Sequence, residues 1–351
     1  MGFKLNNMKI NKIMMGLAAS AGLLASCKND KIEYPNFTYS TVYFASQYPE
    51  RTVELGEDLF IDNTLDNQHK VSVKATLGGV YENKKDVVID VKVDESLLNN
   101  LYYNNNGPKI LPMPAQYYQL ASNQIKIPAG SILGGVEVQL TDAFFADPNA
   151  LTNNYVIPLV MTKVTGADSI LRGKTAVSNP SRVKASDWTT QPKDYVLYGL
   201  KYVNPWQANY LRKGTDQITQ ADGSTTTAVR HTPYVENNQL VNITTASLKT
   251  ANLALSIKNS AGTNVTFTLV LTFADNGTCT VGGNSSSFDI AGTGKFVSNG
   301  EKNSIGGADR SAIYLDYSVN FKNLNVKYAT KDTLIVRDRG LKAEYFDVTI
   351  K

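Results

Sequence analysis

The sequence predicts an all-β protein, an N-terminal immunoglobulin-like sandwich followed by a lipocalin-like antiparallel β-barrel. Three observations lead there. After an apolar leader, helical spacing of apolar residues almost disappears, while short alternating or β-branched runs recur along the chain. Clusters of Gly, Asn, Asp and Pro separate those runs. The length of 351 residues exceeds what one hydrophobic core usually serves, so two domains are expected.

The first element is the leader, residues 1–27. From Met8 the chain reads MKINKIMMGLAASAGLLASC: two lysines, an apolar stretch from Ile13 to Ala25, and small residues before a cysteine. This is the order of a secretory signal, and the stretch is shorter than the ~20 apolar residues of a transmembrane helix. Leu24-Ala25-Ser26-Cys27 resembles the bacterial lipobox, whose cysteine becomes the new N-terminus and carries acyl chains. At ~0.8 kcal/mol per buried methylene, two or three chains anchor a protein durably. The expectation is a lipid anchor at Cys27 in the outer membrane, facing outward or toward the periplasm.

A polar tether, residues 28–38, leads into the sandwich, residues 39–173. Its expected strands are Thr41–Ala45, Val71–Thr76, Val87–Val93, Gln124–Ile127, Gly135–Leu140 and Tyr155–Thr162, with short helices near Glu95–Asn100 or Ala143–Ala150. Residues 174–193, with Asn179-Pro180 and Gln191-Pro192 and little apolar periodicity, read as a linker. The barrel is expected over 194–351, opening with Tyr195–Val203 and running through strands such as Leu253–Ile257, Thr266–Phe273, Ser311–Phe321 and Glu344–Ile350. So many short antiparallel strands must manage their edges, and closing the sheet does this best. Asn276-Gly277 predicts a type I′ hairpin. The polar segment Gln217–Thr227 reads as a mobile excursion.

Composition narrows the function classes. Apolar residues at 42% and charged residues at 19% describe a folded body and exclude wholesale disorder. Removing Lys4, Lys9 and Lys12 with the leader leaves 32 basic against 31 acidic residues, and no basic run remains to attract nucleic acid. With Cys27 given to lipid, Cys279 has no disulfide partner and reads as a small buried side chain.

Three stretches, YSTVYFASQYPER (Tyr39–Arg51), TLGGVYENKKD (Thr76–Asp86) and ILGGVEVQLTDAFFAD (Ile132–Asp147), resemble domain of unknown function 1735, common in Bacteroidetes surface lipoproteins. The resemblance extends through Tyr155–Ile170. Asp187–Gly214 resembles the start of the C-terminal domain that accompanies it. The resemblance implies a cell-surface protein of a polysaccharide-utilisation system, with an outer-membrane glycan transporter as a possible neighbour, and brings no catalytic motif. Many such lipoproteins carry several acidic residues after the cysteine, where this chain has only Asp30 close by.

Sugar recognition uses flat aromatic faces against C–H edges, with amides and carboxylates on the hydroxyls. The chain holds 19 Tyr and 2 Trp. Trp188, Tyr198, Tyr202, Asn204, Trp206, Gln207, Asn209 and Tyr210 gather in one stretch and form the candidate platform. Tyr102 and Tyr103, ahead of Asn104-Asn105-Asn106, form a second candidate on an exposed loop. The competing reading is that these rings are core, since a Trp near the first strand of a lipocalin-like barrel commonly plugs one end.

Catalytic chemistry finds no motif. His69 and His231 are the only histidines and lack metal-ligand spacing, and GxSxG, GxxxxGK[ST] and a strand-linked GxGxxG are absent. No catalytic residue, metal or cofactor is expected. Glycoside hydrolysis needs only two converging carboxylates, so a hydrolase stays open as the weaker alternative. A subunit docking on a transporter or a neighbouring lipoprotein is the other. The leading expectation is a non-catalytic surface glycan-binding accessory lipoprotein, with an oligo- or polysaccharide as partner.

Overall fold

The computed structural model describes residues 37–259, 262–283 and 285–351, so Cys27 and the leader lie outside the described residues. The protein is all-β, a sandwich-like first sheet joined to a closed eight-stranded antiparallel barrel.

In the first sheet the strands run in the order Ser169–Ile170, Thr41–Tyr43, Lys70–Gly78, Leu133–Leu140, Gln124–Ile127, Val87–Val93, Tyr155–Thr165, Tyr195–Val203, Pro49–Glu54 and Glu344–Tyr345. Alternation puts Val71, Val73, Ala75 and Leu77 on one face of their strand, where they meet Val136, Val138 and Leu140 in the main core. Tyr155–Thr165 and Tyr195–Val203 carry near-continuous apolar runs because both of their faces are covered. A second small core lies on the outer side, where Leu101, Tyr103, Ile110, Val156, Tyr195, Leu197 and Phe346 pack together. The expected helices are short turns, a 3₁₀ turn at Glu95–Leu98 and an α-turn at Asp142–Ala146 followed by 3₁₀ at Pro148–Leu151.

The barrel strands are Ala208–Thr219, Gln239–Thr245, Thr250–Lys258, Asn264–Phe273, Thr278–Gly282, Phe288–Glu301, Arg310–Phe321 and Val326–Asp338. Closure comes from pairing of the last strand with the first, from Thr219↔Lys327 to Asn209↔Asp338. Inward positions such as Leu253, Leu269, Leu271, Ile313 and Leu334 fill the interior, with Cys279 buried among them. Only the pairs Ile243↔Leu253, Thr244↔Asn252 and Thr245↔Ala251 join the second barrel strand to the third, and beyond them the wall is split.

Several expectations are corrected. Tyr195–Val203 does not open the barrel: it pairs antiparallel with Tyr155–Thr165 and parallel with Pro49–Glu54, so the barrel begins at Ala208 and not at 194. Residues 174–193 are not a bare linker, since Lys174–Thr175 pairs with Trp188–Thr190 and Asp187 is buried. Gln217–Thr227 is not a loose excursion, because Thr225–Arg230 pairs with Gly214–Thr219 around the Asp222-Gly223 turn. The hairpin at Asn276-Gly277 forms, but only Gly277 has positive φ, and its N–H bonds the Ala274 carbonyl. That is a type I turn closed by a left-handed glycine, not type I′, which needs positive φ at both residues. The C-terminal strands Glu344–Tyr345 and Val348–Ile350 leave the barrel and return to the sandwich, pairing with Pro49–Glu54 and Leu101–Tyr103.

Candidate functional site: a cleft at the domain junction

Most of the aromatic residues singled out by sequence are structural. Trp206 stacks on Phe273 inside the barrel, ring centroids 3.9 Å apart and planes within 7°. Tyr210 is fully buried and its hydroxyl donates to the Trp206 carbonyl at 2.8 Å. The Tyr202 hydroxyl donates to the Phe145 carbonyl at 2.8 Å, and Tyr198 and Tyr103 are buried as well. A ring with no free face cannot stack on sugar, so Trp206, Tyr210 and Tyr103 are corrected from binding platform to core.

Asn204 is also spent. Its amide donates to the Ser247 and Thr250 carbonyls and its side-chain oxygen accepts from the Trp206 and Gln207 N–H groups. Asn209 is held between Asp338 and Asn242. Trp188 is half-buried, its indole N–H on the Ser181 carbonyl, and Tyr102 is half-buried under the Lys351 ammonium. Both lie away from any cavity described below. Gln207, Tyr198 and Tyr202 are the candidates that border the largest open space beside them.

That space is a cleft at the junction of the two domains, on either side of the returning segment Gly340–Tyr345. One compartment, about 380 Å³, is walled by Glu50, Arg51, Ile61, Tyr198, Lys342 and Tyr345. The other, about 440 Å³, is walled by Lys201, Tyr202, Gln207, Thr245, Lys342 and Glu344. Thr52, Leu341, Lys342 and Glu344 border both. Each is of the size that takes a drug-sized ligand, ~300–1,000 Å³.

The polar groups come from three directions. Glu50, Thr52 and Glu54 alternate along their strand and therefore share a face. Lys201 forms an ion pair with Glu344 and donates to Asn153 at 3.2 Å. Gln207 accepts from the Thr245 N–H at 2.9 Å. Tyr345 supplies what the buried rings do not, an aromatic side chain that is 69% exposed and borders the cleft.

Glu50 is unusual. It is 5% exposed, yet neither carboxylate oxygen has a hydrogen-bond partner. A side chain at Gly199 would collide with it, so that glycine makes its room. Burial pushes its carboxyl up to about 7, with the Lys201 charge opposing and the Glu344 charge assisting. Glu54 is also pushed up to about 7 by burial, against the pull of Arg339, whose Nε lies 3.3 Å from it. An acid–base pair is built by pushing two carboxyls apart, whereas these shift in the same direction and one is engaged by a guanidinium. Among the described residues no three His, Cys, Asp or Glu side chains converge as a metal site.

Sequence reasoning missed Tyr345, Glu344 and Lys342 because they were placed on the barrel. Glu50 and Lys201 lie outside the aromatic and amide clusters that mark the candidate platform in the sequence. The alternation of Glu50, Thr52 and Glu54 was the available signal.

A two-domain all-β protein joining an immunoglobulin-like sandwich to a closed barrel is the class this fold defines. A family model for an N-terminal domain matches residues 34–168, and the domain of unknown function DUF5627 matches residues 205–340, beginning just before the observed barrel. A Bacteroides ovatus protein of unknown function is 53% identical over 90% of this chain and 100% of its own, with a TM-score of 0.84. The chain belongs to the same family as that protein. A multidomain B. ovatus protein including DUF1735 is 13% identical over 88% of this chain and 100% of its own, with a TM-score of 0.39. An auxiliary nutrient binding protein from Bacteroides thetaiotaomicron is 13% identical over 82% of this chain and 90% of its own, with a TM-score of 0.35. Likenesses at those two scores carry no weight for function. No match was found among curated proteins.

Proposed function

We propose that this chain is a non-catalytic glycan-binding accessory lipoprotein of a polysaccharide-utilisation system, held at the outer membrane by acyl chains on Cys27. The observation that carries the reading is the junction cleft, where exposed Tyr345 adjoins Arg51, Lys342 and Glu344. An aromatic face for sugar C–H edges beside charged groups for hydroxyls is the chemistry of carbohydrate recognition. The cleft has room for an oligosaccharide segment.

Native electrophoresis of the protein through gels containing plant and host polysaccharides tests this. Retardation by at least one polysaccharide is expected, and Tyr345→Ala should weaken it by about tenfold or more in apparent affinity. Mobility unchanged in every gel rules the reading out. Mass spectrometry of the native protein checks the anchor, which requires an acylated Cys27 as first residue.

A second reading, a subunit docking on a transporter or a neighbouring lipoprotein, is favoured by one feature. Leu59, Phe60 and Ile61 form an exposed apolar stretch, with Phe60 68% exposed. Co-purification of a stable membrane partner with protein that binds no polysaccharide would select it.

A further inference from the structure

The barrel contains a polar site that the junction cleft does not involve. Its inward positions are apolar over most of the wall and carry a cluster of charged groups on one side. There Arg212 and Asp216 follow Ala208 and Tyr210 along the first strand, and Thr330 and Asp332 precede Leu334 along the last.

The groups form one network. Arg212 Nε lies 2.9 Å from Asp332 Oδ2 and its Nη1 donates to Gln239 Oε1 at 3.1 Å. Arg230 donates twice to Asp216, at 2.8 Å each, and its Nη1 lies 2.8 Å from Asp332 Oδ1. The Tyr317 hydroxyl donates to Asp332 at 2.9 Å, and Thr330 to Asp216 at 2.8 Å. Gly214 sits inward opposite Asp332, and a Cβ there would lie 2.4 Å from the Asp332 Oδ1. The backbone thus makes room for the carboxylate.

Two facts argue against a purely structural role. Buried ion pairs are poor stabilisers compared with apolar packing of the same volume, and most of the other inward barrel positions are apolar. The network is also not packed shut. A cavity of about 120 Å³ adjoins it, walled on its apolar side by Phe267, Val319 and Tyr328 and bordered also by Gln239, Ser256 and Ile257. Those last three residues lie where the second and third barrel strands have ceased to pair.

The cavity chemistry selects the ligand. Two guanidinium groups and two carboxylates cancel, so the site offers donors and acceptors with no net charge, which suits a neutral ligand with many hydroxyls. Vicinal hydroxyls bridge a carboxylate and a guanidinium through charge-assisted bonds, and Phe267 and Tyr328 supply the aromatic edge. A site of ~10–15 Å³ by the same measure holds one water, and drug-sized ligands need ~300–1,000 Å³. The space therefore fits one ring and excludes a chain. We propose that this split in the barrel wall is a second binding site that takes a single neutral sugar residue, as a free monosaccharide or the terminal unit of a glycan.

Saturation-transfer NMR on the detergent-solubilised full-length protein tests it, with glucose, galactose, mannose and N-acetylglucosamine as neutral probes and glutamate as a charged one. The plugging variant is Ile257→Trp, because Ile257 is half-buried, lines the cavity and shares the inward face of its strand with Leu253 and Leu255. At least one sugar should show transfer, falling about tenfold or more in Ile257→Trp and persisting in Tyr345→Ala. No transfer from any sugar, transfer from glutamate alone, or transfer unaffected by Ile257→Trp overturns the proposal. Transfer lost in Tyr345→Ala but kept in Ile257→Trp assigns the sugar to the junction cleft, which refutes this second site and leaves the proposed function standing.

Discussion

Glu50 concentrates the electrostatic cost of the junction cleft in one side chain. Burial lifts its carboxyl from 4.5 to about 7, with Lys201 opposing and Glu344 assisting. A carboxyl whose folded pKa exceeds its unfolded one holds its proton more tightly when folded. Its stabilisation is therefore complete at low pH and is lost as pH rises from the unfolded value through about 7. The shift corresponds to about 3 kcal/mol. Urea midpoints should fall between about pH 5 and pH 8, and Glu50→Gln should flatten that slope. An equal slope in wild type and variant would assign the pH dependence to other groups, such as Glu54. Glu54 itself faces Arg339, which also donates to the Leu55, Glu57 and Asn204 carbonyls and so ties the two domains through one buried guanidinium.

At the scale of elements, the Trp206–Phe273 stack plugs the end of the barrel that faces the sandwich. The ring is 8% exposed and its own carbonyl accepts the buried Tyr210 hydroxyl. Trp206→Ala should cost about 3–5 kcal/mol in urea unfolding of the barrel, from lost transfer energy and the cavity left behind. A loss below about 1 kcal/mol would mean that the barrel end collapses and refills the space. The returning C-terminal segment works differently. It seats Phe346 against Tyr48 and Tyr103, at centroid distances of 5.8 and 5.1 Å, and forms the rib between the two cleft compartments.

On the scale of the whole molecule, the chain enters the sandwich, crosses into the barrel at Asn204–Pro205, and comes back after Arg339. The returning segment therefore completes the small outer core of the sandwich, through Phe346, after the chain has closed the barrel. Ending the chain at Gly340 should lower the unfolding temperature of the sandwich, since burial of Phe346 contributes about 2–3 kcal/mol. The barrel transition should stay in place, because its closure ends at Asp338. Calorimetry of the truncated and whole chains checks this, and a barrel transition displaced as far as that of the sandwich would contradict it.

Val87–Val93 and Gln124–Ile127 were legible to the residue, and the barrel was legible as a class, because alternation and turn residues are local properties of the chain. The site was only partly legible. Gln207, Tyr198 and Tyr202 border the cleft, whereas the neighbouring rings Trp206 and Tyr210, equally promising by type and position, are core. Residue type says that an aromatic side chain can stack on a ligand, and packing decides whether a face is left free to do so. By itself the sequence determined the strands, their inward faces and the all-β class. Tertiary structure alone decided that Tyr195–Val203 joins the first sheet, that the C-terminus returns to it, and that Glu50 meets Tyr345 in a cleft. Alternation specifies the face of a strand but not its neighbour. Pairs such as Gly199↔Glu50 and Pro49↔Tyr345 bring together residues far apart in the chain, held by backbone hydrogen bonds that carry no sequence signature.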